Sequence, residues 1–218
     1  MTLAMVRYAL ASFARTQRWM APVLIWLVVL GALYATDAGP LNGSYAFTAA
    51  VLMPVSAWIT VALLGCEDPN GRTVLWAAAG GPARAQAGLL AGAAIVCLPL
   101  AALALAWPLI LDRHAGVAAS SIAIGVVAHL VCLFVGVGLG GLVGPPVLYA
   151  PGVAALVIIG GSMVTLLSPI PPMGPLLKLL SKTHPGALAL HFSLIVAESL
   201  ALGAVLLTLA LRLTRRRA

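Results

Sequence analysis

The chain has 218 residues, of which 62% are hydrophobic and 8% charged, and its formal net charge is +7. A water-soluble domain carries about 25% charged residues, so this composition excludes a soluble enzyme and makes lipid the natural solvent. The basic excess does not point to nucleic acid, because the basic residues sit at the ends of apolar runs and form no polar domain.

Residues 1–19 come first as an amphipathic helix. Leu3, Val6, Leu10 and Phe13 fall on one face, and Arg7, Arg15 and Arg18 gather on another. Trp19 marks the boundary with the first apolar run. Such a helix is expected to lie on the cytoplasmic membrane surface with its arginines near anionic head groups. No A-x-A site follows the run, so a cleaved signal peptide is not expected.

Residues 20–218 then read as one transmembrane domain. Its apolar runs cover about 20–36, 44–66, 87–111, 116–143, 150–168 and 192–211. Each is near the roughly 20 residues that cross a bilayer as a helix. None alternates with the period of two that a membrane β-strand requires. The expected fold is therefore all-α and integral to the membrane, with six transmembrane helices. Pro54, Pro99 and Pro108 fall inside runs, where each removes a backbone donor and tends to bend its helix. Cys66, Cys97 and Cys132 form no CxxC pair and read as small packed side chains. Gly136, Gly138 and Gly141 spell GxGxxG, but inside an apolar span with no strand before them. Gly136, Gly140 and Gly144 instead give a smooth face for close helix packing.

Orientation follows from lysine and arginine. A cytoplasmic N-terminus puts Arg7, Arg15, Arg18, Arg72, Arg84, Arg212, Arg215, Arg216 and Arg217 on that side. Arg113, Lys178 and Lys182 then lie opposite, nine against three. Both termini are expected inside. The outer connection 169–191 is an apolar stretch broken by Pro169, Pro171, Pro172, Pro175 and Pro185, and reads as a re-entrant or interfacial hairpin.

Signatures of chemistry are few. There is no GxxxxGK[ST] phosphate loop, no HExxH and no GxSxG, so no catalytic, cofactor or metal site is expected in this chain. Glu198 lies within the last span, seven residues after His191. An acid near the bilayer centre costs roughly 2.5–3.5 kcal/mol, so Glu198 is expected to face protein or a wet cavity. Glu198, His129, Trp26 and Trp58 are the candidates for a substrate route, with core packing as the alternative for each. His184 and His191 lack a third ligand in sequence.

The connection 67–86 is the most distinctive. It opens on Glu67 and Asp68, continues through a DPNG turn, and favours a short helix from Arg72 to Ala79. Gly80, Gly81 and Pro82 stop it before Arg84 starts the return. Leu75 and Trp76 are too apolar for a free loop, and are expected to enter a groove on a partner, framed by Glu67, Asp68 and Arg72.

On Glu67, Gly71, Thr73, Leu75, Pro82, Ala83 and Arg84 the chain resembles the permeases of type-2 ATP-binding-cassette exporters. Here Arg72 separates the glycine from the threonine. The amphipathic N-terminal helix, the six spans and the proline-rich segment before the last span extend the likeness over the whole chain. The resemblance implies a half-transporter that pairs with a second permease copy, identical or related, and with two separate ATPase subunits. These subunits would bind ATP and magnesium, and the 67–86 loop would be the coupling element. It further implies outward movement of an amphipathic, lipid-like or peptide or drug substrate, and the alanine- and glycine-rich composition with arginine over lysine points to a bacterial plasma membrane. A secondary carrier or channel is the other expectation, and a membrane scaffold or enzyme a third.

Overall fold

In the computed structural model, which describes residues 2–35, 41–110, 119–167, 174 and 189–217, every extended element is an α-helix. α1 (Thr2–Arg15) leads through a 3-10 turn, Gln17–Trp19, into α2 (Met20–Ala35). α3 (Leu41–Leu64), the short α4 (Pro69–Ala79) and α5 (Pro82–Ile110) follow. The chain continues as α6 (Ala119–Val143), α7 (Pro151–Leu167) and α8 (Ala189–Arg216). Among the described residues five helices are long and apolar enough to cross a bilayer, with α2 counted from Gln17. α7 is equally apolar but stops at 17 residues. This is the pattern of a multi-pass membrane protein. The expected hairpin at 169–191 falls almost wholly outside the described residues, as do Arg113, Lys178, Lys182 and His184.

α3 and α6 form the centre. A Cβ built on Gly136 would lie 2.0 Å from Ser56 Oγ and 2.3 Å from the Met53 carbonyl oxygen, and one on Gly140 would lie 2.4 Å from that of Ala57. Only glycine permits this approach, so the expected glycine face is a packing face. α3 meets it with buried hydroxyls. Thr48 bonds back to Ser44, Ser56 to Met53 and Thr60 to Ser56, at 2.9, 2.9 and 2.7 Å. Each hydroxyl thus finds an acceptor on its own helix.

Close contacts fix the directions. Gly125 meets Tyr45 near the starts of α6 and α3, and Gly144 meets Leu64 at their ends, so the two run parallel. α8 runs the same way, with Leu206 on Gly138 and Ala210 beside Gly141. α5 runs against them, its Leu90 covering Gly141 from the other side. Consequently Arg7, Arg15, Arg18, Arg72 and Arg84 share one end of the bundle with the arginines that finish α8.

The first helix differs from expectation. Its buried stripe is Met5, Val6, Ala9 and Phe13, while Leu3 is exposed and Leu10 only half-buried. The reason is a notch on α5. Met5 sits over Gly88 and Ala9 over Gly92, where added Cβ atoms would lie 2.6 and 2.9 Å away. α1 therefore rotates to serve the protein, and leaves Leu3, Tyr8 and its arginines outward.

The short helix also starts earlier than expected. Asp68 caps it by accepting from Gly71 N–H, and Pro69 occupies the first turn, where its missing donor costs nothing. What reads as a DPNG turn is the start of α4. Gly80 ends the helix in the left-handed region, φ 74°, as a C-cap requires.

Candidate functional site

α2 and α7 each bury a single stripe. On α2 it is Pro22, Trp26, Leu30 and Tyr34, and on α7 it is Ala154, Ile158 and Ser162. Neither helix is wide enough to cover the outer face of α3. A groove of about 710 Å³ remains between them, with Val51, Pro54, Val55 and Trp58 as its floor. Ile25 lines it from α2, and Ile158 from α7. Trp58 is 39% exposed there.

The groove is apolar except at its arginine-rich end, where Arg18, Glu67, Arg72 and Tyr149 line it. Arg72 is 3% exposed. Its Nη2 donates to the carbonyls of Leu64 at 2.9 Å and Glu67 at 3.2 Å, and its Nη1 to the Tyr149 hydroxyl at 2.9 Å. The guanidinium carbon also lies 5.5 Å from the Tyr149 ring centroid. A cation at the last carbonyls of α3 is favoured by the helix dipole. Glu67 Oε1 accepts from Tyr8 at 2.6 Å and Ser12 at 3.4 Å, which ties α1 to the connection after α3. Hydrogen bonding to Glu67, followed by burial, pushes the Tyr8 phenol up to about 12. Arg18 Nη1 donates to the Gly65 carbonyl.

Of the residues singled out in the 67–86 connection, the structure draws several inward. Arg72 and Leu75 are buried, and Trp76 packs half-buried against the main core. Leu75, expected to enter a groove on a partner, is instead covered by its own chain. Asp68 is the cap of α4. Gly71 lets both acids approach, since a Cβ there would lie 3.0 Å from Glu67 Oε2 and 3.1 Å from Asp68 Oδ1. Thr73 is exposed and bonds back to Asn70 at 2.7 Å. Pro82 opens α5, and Arg84 lies exposed beside Gly80. The outward face of α4 is Asn70, Thr73, Val74 and Ala77, with Val74 69% exposed.

Only Trp58 of the four route candidates reaches the groove. Trp26 is fully buried in the core, its indole N–H without a partner among the described residues. His129 is fully buried, with Nδ1 2.8 Å from the Gly125 carbonyl and Nε2 3.1 Å from Thr48 Oγ1. Because a carbonyl can only accept, Nδ1 carries a hydrogen. α8 turns Ser199 and Gly203 inward, which leaves Glu198 on the exposed face, not against protein as expected. His191 has no described side chain. Arg18 and Tyr149 join the site without a site signature in the sequence. Arg18 stood out only as one of three basic residues on the first helix, and Tyr149 carried no signal.

The chain matches no protein-family model, no curated protein and no solved structure.

Proposed function

We propose that this chain is the membrane-spanning subunit of an ATP-driven exporter of the type-2 ATP-binding-cassette kind, crossing a bacterial plasma membrane six times with its arginine-rich end in the cytoplasm. α7 is the sixth crossing, short for the bilayer and accommodated by local thinning or by its neighbours. Two such subunits pair, and two separate ATPases supply the energy. The observation that carries the reading is α4. It is a helix capped at both ends, pinned beneath the bundle by Arg72, with a small mixed face of Asn70, Thr73, Val74 and Ala77 left outward at the arginine-rich end. A free loop needs none of these features, whereas a rigid docking element needs all of them.

The contact surface then consists of Asn70, Thr73, Val74 and Ala77, and the inward Leu75 supports it from behind. ATP-driven movement of the ATPases would pass through α4 and Arg72 to the end of α3. The test is purification of the tagged chain from native membranes in mild detergent, followed by identification of any P-loop ATPase that accompanies it. Val74→Asp with Ala77→Asp places charge on that face and should weaken association roughly tenfold or more, equal to about 1.4 kcal/mol, while insertion stays normal. A wild-type chain that never brings an ATPase with it would remove the exporter reading and leave a carrier or scaffold.

A further inference from the structure

The groove between α2 and α7 has the dimensions of one leaflet. From Val51 to Ala62 its floor follows eleven residue steps of α3, about 17 Å at 1.5 Å per residue. Half of a hydrocarbon core is about 15 Å. Its volume of about 710 Å³ lies within the range of small-molecule sites, roughly 300–1,000 Å³. The long part is lined by Val51, Val55, Trp58 and Ile158, and every polar residue of its lining is at one end. An occupant must therefore be apolar along most of its length and polar at one tip.

The free hydrogen-bonding groups at that tip decide the sign of its charge. Arg18 has five N–H donors, and one nitrogen is engaged by Gly65 O. The Tyr149 oxygen accepts from Arg72, so its own hydrogen remains to donate. Arg72 is held by carbonyls and contributes positive field. The one acid among the described lining residues, Glu67, receives hydrogens from Tyr8 and Ser12 on Oε1. Among the described lining residues, two guanidinium groups and a phenol hydrogen stand against one carboxylate, whose Oε1 is occupied by α1. This favours an acceptor-rich, anionic head group over a cationic one.

We infer that the groove binds an anionic membrane lipid of the leaflet at the arginine-rich end, its acyl chain lying along α3 and its phosphate at Arg18 and Tyr149. Basic pockets between transmembrane helices on the cytoplasmic side are suited to such head groups. Binding stands whether or not the chain exports. That the occupant is cargo rests on the exporter reading.

The test reconstitutes the purified chain, without any ATPase, in phosphatidylcholine vesicles containing either brominated phosphatidylglycerol or the same fraction of brominated phosphatidylcholine. Trp58 is the reporter, isolated as the difference in fluorescence quenching between the native chain and Trp58→Phe. The anionic lipid should be enriched at Trp58 about fivefold over the zwitterionic one, the effect of one arginine near the surface. Arg18→Gln should abolish the enrichment, and Arg18→Lys should keep most of it, which separates lost charge from lost folding. Arg7→Gln, on the outward face of α1, should leave it unchanged. Equal quenching by the two lipids overturns the proposal, as does an excess that survives Arg18→Gln. Absence of Trp58 quenching by either lipid also overturns it, and is the result expected if a second copy of the chain fills the groove. Because the ATPase takes no part, none of these outcomes bears on the exporter reading, which fails only if no ATPase accompanies the chain.

Discussion

Arg72, in the first turn of α4, donates at 2.9 Å to the carbonyl of Leu64, the last residue of α3. Through this bond a helix outside the bundle is fastened to the end of the helix at its centre. Replacing the side chain by methionine leaves one buried carbonyl, Leu64, and one part-buried carbonyl, Glu67, short of a donor, at a cost of about 2–4 kcal/mol. Arg72→Met should lower the unfolding temperature in detergent and open residues 65–82 to protease. Lysine keeps the charge but not the fork, so Arg72→Lys should fall between the two. Wild-type protease resistance in Arg72→Met would mean that α4 is held by other contacts.

The α3–α6 packing predicts a contrast between glycines. Gly140→Ala pushes a methyl group to 2.4 Å from the Ala57 oxygen, and Gly31 on α2 has nothing within 4 Å. The first substitution should destabilise by about 1–3 kcal/mol. The second should be neutral or mildly stabilising, since alanine is the better helix former by up to about 1 kcal/mol. Thermal unfolding of the two variants in one detergent checks both.

The phenol of Tyr8 should titrate late. Its hydrogen bond to Glu67 and its partial burial raise it from 10.0 to about 12. The folded state thus prefers the protonated phenol, and this contribution is complete below the ordinary value and fades as pH rises through about 12. The ultraviolet difference titration between the native chain and Tyr8→Phe should report the raised value, and Glu67→Gln should bring it back toward 10.0. An unshifted Tyr8 would mean that the contact with Glu67 does not persist in solution.

Orientation can be read by labelling in a background without Cys66, Cys97 and Cys132. Ser120 is exposed at the start of α6, and Thr73 is exposed on α4 at the opposite, arginine-rich end. Ser120→Cys should react with an impermeant maleimide in intact cells, and Thr73→Cys only after lysis. The reverse pattern would invert the topology.

The long helices were readable because apolar runs of membrane length leave few alternatives, but their limits were less so: α5 begins at Pro82, five residues before its apolar run, and α8 continues to Arg216, five beyond its own. The glycine face of α6 was readable for a similar reason, since four-residue spacing of glycine has few other uses in a span. Arg72 was not. Its hydrogen bonds reach the end of α3 and Tyr149, 77 residues away, and an arginine beside two acids looks the same in sequence whether it faces inward or outward. The start of α4 was hidden because Asp-Pro-Asn-Gly suits a turn as well as a capped helix. The buried stripe of α1 was misplaced because Gly88 and Gly92, not lipid, decide which side of it is covered. The groove itself is a property of three helices and has no signature in any one of them.

The missing side chains of Gly136 and Gly140 have a mechanical consequence. With Met53 and Ala57 carbonyls seated directly on these glycines, α3 and α6 have no room to slide or roll past one another. They should behave as a keel. α2 and α7 hang on single stripes at its side and are the staves that can yield. Any working stroke of this chain should therefore widen or narrow the gap from Ile25 to Ile158 while the separation of Ser56 and Gly136 stays constant. Paired spin labels across each gap would register that difference directly.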